Sequence, residues 1–383
     1  IEGFPIATDE AIIELSDAPH YTACPNPFIE EFIIENGMPY DETTDDYHRE
    51  PFASDVSEGK NDPFYNSHTY HTKVPYKAIL RYILHYTEPG DIVFDGFCGT
   101  GMTGVAAKMC GCMDAESRYV LSQQLEAPQF GERNAILVDL SPAATHIANR
   151  YNHGFDLDLL DSEFRTLSAK LETECDWMYR TRHTQSNGPV DLFSDGNSQY
   201  GRINYTVWSD SLICPHCSHE FLFWDVAVDR THKKMHDIFK CPNCGASLKK
   251  TDCDLSKQPL IDATTGRVVD IPNQKPVLIV YTVGTTRFEK EPDQEDLAVI
   301  QKIQELRIPY WYPTDDVIDG DKTREALNKG LSRVDFFFQK RNLYALSTVW
   351  DGASSQMKFI ITAFLLRATK MNKVHMHNFL FGG

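Results

Sequence analysis

Residues 91–107 read Asp-Ile-Val-Phe-Asp-Gly-Phe-Cys-Gly-Thr-Gly-Met-Thr-Gly-Val-Ala-Ala, and no other part of the sequence is as informative about the fold. An apolar run ends at Asp95, and glycines follow at positions 99, 101 and 104. Glycine lets the backbone approach a ligand closely, because it has no Cβ atom that would clash. A strand that ends at an acidic residue and turns on glycine into a helix is typical of a nucleotide-type cofactor site.

The segments on either side alternate between helix and strand patterns. Apolar residues recur at helical spacing over residues 76–86, and a Pro-Gly pair ends that pattern before the strand. Further along, residues 135–138 form a second apolar run that ends at Asp139, and residues 143–151 are helix-like. Residues 110–133, between the two units, have the polar and mixed composition of an insertion. The sequence therefore predicts an α/β fold.

The glycine motif and the segment before it resemble those of a known enzyme family. The motif is Asp-x-Phe-x-Gly-x-Gly, and residues 68–75 read His-Thr-Tyr-His-Thr-Lys-Val-Pro. Both resemble motifs of the amino-directed DNA methyltransferases, which transfer a methyl group from S-adenosylmethionine to the exocyclic amine of adenine or cytosine. The chain departs from the family pattern at Gly96, where proline is usual, and at Met102, which displaces a threonine to Thr103. The resemblance covers roughly residues 65–152.

The resemblance implies a doubly wound, Rossmann-like methyltransferase sheet, S-adenosylmethionine as cofactor and double-stranded DNA as substrate. It implies that Asp139 accepts hydrogen bonds from the ribose hydroxyls, that Asp95 orders the glycine turn and that Phe97 packs against the cofactor. Two glycines are expected to make room for the methionine part, and two upstream residues to contact its carboxylate. The predicted cofactor-binding residues are Thr72, Lys73, Asp95, Phe97, Gly99, Gly101, Thr103, Asp139 and Leu140. The alternative is an α/β domain whose glycines serve only tight packing.

Four cysteines in two Cys-x-x-Cys pairs predict an inserted zinc ribbon. Cys214 and Cys217 form the first pair, and Cys241 and Cys244 form the second. Four thiolates at this spacing close a tetrahedral zinc site, because each pair lies on a tight turn that directs both sulfurs at one metal. Two disulfides or a redox pair are the competing interpretations. The ribbon is expected to serve mainly as a structural staple, with contact to nucleic acid or to a protein partner left open.

The formal net charge of −18 is concentrated near the N-terminus. Residues 1–62 contain sixteen acidic and two basic residues, which leaves a net charge of −4 for the rest of the chain. Affinity for nucleic acid comes largely from Lys and Arg, so an acidic arm is not expected to lie along phosphates. We expect it to pack on the enzyme or to contact a protein partner. Among the local basic clusters, residues 230–234 between the two cysteine pairs are the best candidate for DNA contact, although a solvated surface is the simpler interpretation.

The 383 residues are predicted to form four regions. These are an acidic N-terminal arm (1–64), the cofactor-binding half of a methyltransferase domain (65–183), a zinc-ribbon insertion (202–283) and a mainly helical region (284–383). No run of 18 apolar residues is present, so no ordinary membrane span is expected. Ten cysteines, four of them in the ribbon pairs, favour a reducing compartment and hence a cytoplasmic location.

The methyl-acceptor motif of the family is missing from the sequence. Related methyltransferases hold the target amine with Asp/Asn/Ser-Pro-Pro-Tyr/Phe/Trp, and the closest segment here, residues 17–20, reads Asp-Ala-Pro-His. We therefore expect an N-terminal part of a DNA amino-methyltransferase whose acceptor motif lies downstream of residue 383, and no catalytic residue is predicted. One alternative makes Asp17–His20 a degenerate acceptor motif. The other is a catalytically inactive methyltransferase-like subunit that binds nucleic acid or a partner.

Overall fold

The computed structural model describes residues 26–55, 59–70, 73–183, 200–232, 234–261, 266 and 268–372. The chain divides into two compact units, residues 1–160 with 355–363 (unit 1) and residues 161–354 with 364–383 (unit 2). The limits of the four predicted regions stay a prediction, and residues 17–20 lie outside the described ranges. None of the helices in those ranges is both long and apolar enough to cross a membrane.

Unit 1 places a pair of parallel strands among helices. In chain order its elements are α1 (Ile29–Asn36), α2 (Pro63–Ser67), α3 (Tyr76–Tyr86), β1 (Ile92–Asp95), α4 (Met102–Cys112), α5 (Ala115–Gln124), β2 (Asn134–Leu137) and α6 (Pro142–Asn152). The predicted order of helix, strand, glycine turn, helix and strand is confirmed. The insertion between α4 and β2 contributes a helix of its own, which Asp114 begins by accepting a hydrogen bond from the backbone N–H of Ser117.

The core of unit 1 lies between α3, α4 and one face of the strands. β1 and β2 are parallel, with Val93 opposite Ala135 and Asp95 opposite Leu137. Val93 and Ala135 pack against buried residues of α3 and α4. Ala106 and Ala107 of α4 are completely buried, because small side chains let the helix approach the strands closely.

The sheet of unit 1 has only two strands within the described ranges. β1 pairs with β2 along one edge, and no strand of the described residues pairs with its other edge. Phe94 in the middle of β1 is 68% exposed, whereas strands of parallel sheets are usually buried on both faces. The predicted α/β class is confirmed, but the described residues do not form a doubly wound sheet.

Unit 2 is built on an antiparallel sheet of six strands. In chain order its elements are α7 (Leu157–Cys175), a 3₁₀ turn (Asp176–Tyr179), β3 (Arg180–Arg182), β4 (Tyr200–Ile213), β5 (Glu220–Leu222), α8 (Phe223–Ala227), β6 (Val228–Asp229), β7 (Lys234–Met235), β8 (Ile238–Lys240), β9 (Ser247–Lys249), a 3₁₀ turn (Lys250–Asp252), β10 (Asp254–Leu255), β11 (Lys257–Ile261), β12 (Val268–Pro272), β13 (Gln274–Val283), β14 (Thr286–Lys290), α9 (Gln294–Glu305), α10 (Arg324–Asn328), a 3₁₀ turn (Val334–Phe337), α11 (Lys340–Gly352) and α12 (Ser355–Ala368). Two of its helices, α7 and α12, also have residues in unit 1.

The long strands β4 and β13 form the centre of this sheet. The path runs β10-β4-β13-β14, and β3 and β5 pair with the two ends of β4. The apolar run over residues 276–283 predicts a buried strand, and residues 277–281 of β13 are all buried. Helical patterns over residues 293–307, 323–331, 342–350 and 356–369 predict four helices, and α9 to α12 are found there.

The ribbon between β4 and β10 has its own small core of Leu212, Phe221, Phe239 and Leu248, packed with the cysteines. The apolar runs over residues 221–224 and 226–228 predict strands, and this prediction is wrong for residues 223–227, which form α8. The backbone N–H of Trp224 donates to Ser209 Oγ at 3.0 Å, which satisfies one free donor of the first helical turn. A short apolar run does not distinguish a strand from a buried helical turn.

A buried histidine fixes the segment before α3 within unit 1. His68 is 5% exposed, and its ring stacks on Phe359 with 4.2 Å between the ring centroids. Its Nε2–H donates to the Phe359 carbonyl at 3.0 Å, and its Nδ1 lies 3.4 Å from the Tyr151 hydroxyl. Burial lowers the pKa of His68, so the ring is neutral in the folded protein.

Lowering the pH from about 7.5 to about 5.5 should destabilise unit 1 through His68. The unfolded ring takes up a proton below about pH 6.5, whereas the folded ring, with its lowered pKa, resists protonation. The contribution of neutral His68 to the free energy of unfolding is therefore complete above about pH 6.5 and is lost as the pH falls below it. In thermal unfolding, we expect a smaller fall in Tm for His68→Gln than for the wild type. His153→Gln, at an exposed position, should behave as the wild type, and an identical fall in Tm for His68→Gln would contradict the prediction.

Candidate functional site

Two carboxylates lie at the same edge of the parallel strands of unit 1. Asp95 is the last residue of β1, and Asp139 follows β2 by two residues. The carboxyl ends of parallel strands share one edge of a sheet, where open α/β sheets bind ligands. The glycine turn and the start of α4 lie between the two acids in sequence. The structure thus brings the two predicted acids together around the predicted turn.

Asp139 holds the glycine turn from the side of β2. Its Oδ2 accepts a hydrogen bond from the backbone N–H of Gly99 at 2.9 Å, and its Oδ1 accepts from the N–H of Ser141 at 2.8 Å. The backbone N–H of Cys98 adds a third link, to the Val138 carbonyl at 2.9 Å. Each carboxylate oxygen has a second lone pair, so Asp139 is able to accept further bonds from a ligand hydroxyl.

Asp95 holds the same turn from the side of β1. Its Oδ2 accepts from the hydroxyl of Thr103 at 2.5 Å, and its Oδ1 accepts from the backbone N–H of Phe97 at 3.1 Å. Charge-assisted bonds of this kind are shorter and stronger than bonds between neutral groups. Thr103, although displaced by one position from the family pattern, therefore helps to order the turn, and its predicted contact with the cofactor stays a prediction.

The glycines of the turn meet different neighbours. Gly99 and Gly101 have φ angles of +53° and +73°, in the left-handed region that favours glycine. A Cβ at Gly101 would lie 2.6 Å from the Cβ of Ala148, and a Cβ at Gly104 would lie 2.4 Å from Oδ1 of Asn152. Gly101 and Gly104 thus let α6 pack directly against the turn, and the role predicted for Gly101 beside a ligand stays a prediction.

Asn152 and Tyr70 were missed by the sequence analysis. The side-chain amide of Asn152 donates to the Gly101 carbonyl at 3.2 Å and to the Ala148 carbonyl at 2.8 Å. The ring of Tyr70 lies 3.3 Å from the position that a Cβ of Gly99 would take. No sequence signal identifies these contacts, because they depend on how α6 and the segment before α3 pack.

Several features of the turn fit a bound cofactor. Phe97 and Leu140 are 85% and 84% exposed, although large apolar side chains are favoured in contact with other apolar groups. Thr100 Oγ1 is buried without a hydrogen-bond partner among the described residues. The two carboxylates are able to accept hydrogen bonds from ribose hydroxyls, and the two exposed apolar side chains suit contact with an aromatic base. The unsatisfied hydroxyl is a further polar group for such a ligand.

Lys73 is engaged within its own segment. Its ammonium donates to the carbonyls of Tyr65 and His68, and it lies 4.5 Å from the centroid of the Tyr65 ring. Burial lowers the pKa of Lys73. These contacts give Lys73 a structural role, and its predicted contact with a ligand carboxylate stays a prediction. Thr72, the other residue predicted for that contact, lies outside the described residues.

The cysteine inside the turn is not suited to act as a nucleophile. Cys98 is 8% exposed. Burial, reinforced by the negative charges of Asp95 and Asp139, raises the pKa of its thiol to about 12. The thiolate is the reactive form of cysteine, so the neutral thiol at this position is chemically quiet.

The two Cys-x-x-Cys pairs form one compact cluster in unit 2. The four sulfurs of Cys214, Cys217, Cys241 and Cys244 all lie within 4.8 Å of one another. Individual separations are 3.8 Å for Cys214–Cys244 and 3.7 Å for Cys217–Cys241. A tetrahedral zinc site with metal–sulfur distances of about 2.3 Å has sulfur–sulfur edges of about 3.8 Å, whereas a disulfide bond measures about 2.05 Å. The cluster fits a zinc site and not two disulfides.

Replacing Gly101 by alanine should destabilise unit 1 more than the same change at Gly90. Both have a positive φ (+73° and +92°), so either alanine is strained by about 1–2 kcal/mol. Only the new Cβ at position 101 meets a neighbour, because nothing lies within 4 Å at Gly90. Overpacking typically adds about 1–3 kcal/mol to the cost at position 101. Denaturant unfolding of the two variants measures the difference, and equal losses would contradict the packing account.

Comparison with known proteins identifies a family for part of the chain. Residues 29–149 match a family model for N6/N4 methyltransferases, described as DNA methylase. No curated protein and no solved structure matches the chain. The matched segment includes the glycine turn, Asp95 and Asp139, and it ends before the four-cysteine cluster. Residues 29–149 therefore form a domain of the DNA methylase family.

Proposed function

We propose that this chain contains the S-adenosylmethionine site of a DNA methyltransferase that modifies the exocyclic amine of adenine or cytosine. The observation that carries the proposal is the hydrogen bond from the Gly99 N–H to Asp139, within a DNA methylase domain. It links the acid after β2 to the glycine turn after β1. The residues proposed to bind the ribose and the methionine part of the cofactor are therefore held in fixed positions relative to each other. The resemblance of the motif to amino-directed methyltransferases supports the same assignment.

In this proposal the residues of the turn bind and orient the cofactor. When bound, S-adenosylmethionine supplies an electrophilic methyl group for transfer to an amine. Asp139 accepts the ribose hydroxyls, while Asp95 and Thr103 keep the turn fixed through their mutual hydrogen bond. Phe97 and Leu140 cover the cofactor with their exposed apolar side chains and exclude water from it. Gly99 leaves space for the methionine part beside Tyr70.

The acceptor side of the reaction needs a further strand in this proposal. A parallel pair of four-residue strands is a small part of a stable sheet, and β1 has a free edge within the described residues. We infer that a strand carrying the amine-binding motif pairs with that edge, and that its crossover helix covers the face of Phe94 and completes the doubly wound sheet. The motif Asp/Asn/Ser-Pro-Pro-Tyr/Phe/Trp does not occur in residues 1–383. Asp17–His20 remains the alternative acceptor motif.

The four-cysteine cluster is proposed to hold a structural zinc ion. All four thiolates are used as ligands, so the site is closed and has no open position for water or substrate. Bound there, the ion would link the turn after β4 to the hairpin of β8 and β9, around a ribbon core of only a few apolar residues. In a core of that size, metal binding supplies much of the folding free energy.

Titration of S-adenosylmethionine into the chain should show saturable one-site binding by calorimetry. Asp139→Ala should weaken binding by about 10-fold to 100-fold, because a hydrogen bond to a charged group contributes about 1.5–3 kcal/mol. Glu116→Gln, an exposed acid of α5 outside the predicted site, should bind as the wild type. Absence of binding by the wild type would contradict the cofactor proposal and favour the methyltransferase-like binding subunit.

Purified protein should contain one zinc ion per chain by metal analysis. Cys214→Ser should lose the metal and unfold at a lower temperature, because one of four thiolates is removed. Cys253→Ser is the matched control, since this cysteine lies beside the ribbon core but outside the cluster. Zinc content and Tm equal to those of the wild type in Cys214→Ser would show that the cluster does not bind the metal.

A further inference from the structure

The ribbon carries a local positive charge that the proposed zinc site does not explain. Residues 230–250 contain six basic residues and one acidic residue, a net charge of +5 with histidine neutral. Acidic residues at positions 225, 229, 252 and 254 flank this segment, so its positive charge is confined to the residues between them. A protein with a net charge of −18 binds a polyanion only where basic side chains are concentrated on one surface.

The hairpin of β8 and β9 displays part of this charge on one face. Phe239 and Leu248 lie opposite each other and point into the ribbon core. Successive side chains of a strand point to opposite faces, so Ile238, Lys240 and Lys249 lie on the outer face. Ile238 pairs with Lys249 in the register, which places the two lysines diagonally across the hairpin. Ile238 is 59% exposed.

Ion pairing separates these lysines from the other bases of the ribbon. Arg230 pairs with Glu291 at 3.0 Å, and Lys250 pairs with Asp210 at 2.6 Å. Within the described part of the chain, Lys240 and Lys249 form no ion pair, and both are exposed. Two uncompensated like charges on a two-stranded hairpin repel each other, so they contribute nothing to the folding of the ribbon.

The outer face of the β8–β9 hairpin carries side chains of the kinds that contact a nucleic-acid backbone. Lysine places a compact charge on a flexible stem that reaches phosphate oxygens, and exposed aliphatic groups suit contact with the sugar edges between them. The mixture of lysines and aliphatic side chains therefore matches a nucleic-acid backbone.

We propose that Ile238, Lys240 and Lys249, the ribbon face, bind the phosphate backbone of double-stranded DNA. The identity of the ligand as DNA rests on the proposed function. The hairpin strands flank the Cys241–Cys244 turn, and the backbone N–H of Cys241 donates to the Ala246 carbonyl at 2.9 Å. A rigid metal-linked hairpin holds Lys240 and Lys249 at a fixed separation, which favours binding because little mobility is lost. The contacts position DNA and carry no sequence information by themselves.

The test is the salt dependence of binding to a fluorescein-labelled DNA duplex of about 20 base pairs, followed by anisotropy between about 50 and 300 mM salt. The double variant Lys240→Gln/Lys249→Gln should reduce the slope of log K against log salt by about 1.8, because each phosphate contact contributes about 0.9. The charge-retaining variant Lys240→Arg/Lys249→Arg should keep the wild-type slope. Lys108→Gln/Lys322→Gln, at two exposed lysines outside the ribbon, is the matched control and should also keep it.

A second measurement uses the wild-type protein and does not depend on the folding of a variant. Bound duplex should protect Lys240 and Lys249 from amine acylation, detected by mass spectrometry, and leave Lys108 and Lys322 reactive. An unchanged slope in the glutamine variant, unprotected ribbon lysines or no DNA binding by the wild type would each overturn the proposal. An acidic protein would then be the better partner for the ribbon face. The calorimetric titration of S-adenosylmethionine is independent of these results, so the cofactor proposal and the ribbon proposal fail separately.

Discussion

The hydrogen bond between the Gly99 N–H and the Asp139 carboxylate is the contact on which the candidate site depends. It joins the turn after β1 to the end of β2, so the two strands form one ligand-binding edge and not two separate loops. Asp95 supports the turn from the opposite side through Thr103. With an acid on each side, the backbone of the turn is held before any ligand arrives, and binding loses less conformational freedom.

A second constraint on the shape of the glycine turn comes from the packing of α6 against it. α6 approaches so closely that a Cβ at Gly101 or Gly104 would overlap with Ala148 or Asn152. The same helix follows directly from the loop that contains Asp139 and Leu140. The position of α6 therefore couples the glycine turn to the residues proposed to bind ribose. Glycine at these positions serves packing first, and the shape of the binding edge is a consequence of that packing.

Sequence reasoning located the parts of the site that are encoded locally. Asp95 and Asp139 were predicted because each ends an apolar run, and the cysteine cluster because two short pairs fix its geometry. The neighbours of the glycines were not predictable, since Tyr70 and Asn152 reach them only through tertiary packing. Residues 223–227 were predicted as strand and form a helix, because a short apolar run fits either. Local sequence patterns also could not predict how many strands lie beside β1, because such patterns identify a strand but not its partners.

The free edge of β1 and the exposed ring of Phe94 have the same physical origin. Side chains of a parallel strand alternate between two faces, and here Val93 is covered by α3 and α4 while Phe94 is not covered. Burying an aromatic side chain stabilises a fold by about 1.5–3 kcal/mol, so leaving it exposed in mid-strand has a clear cost. In the proposed methyltransferase, the segment that removes this cost is the one that brings the amine-binding strand to the free edge of β1, because its crossover helix packs on a face of the sheet. Completion of the sheet and assembly of the acceptor site are then a single event, because the segment that covers Phe94 also brings the acceptor residues to the edge where Asp95 and Asp139 lie.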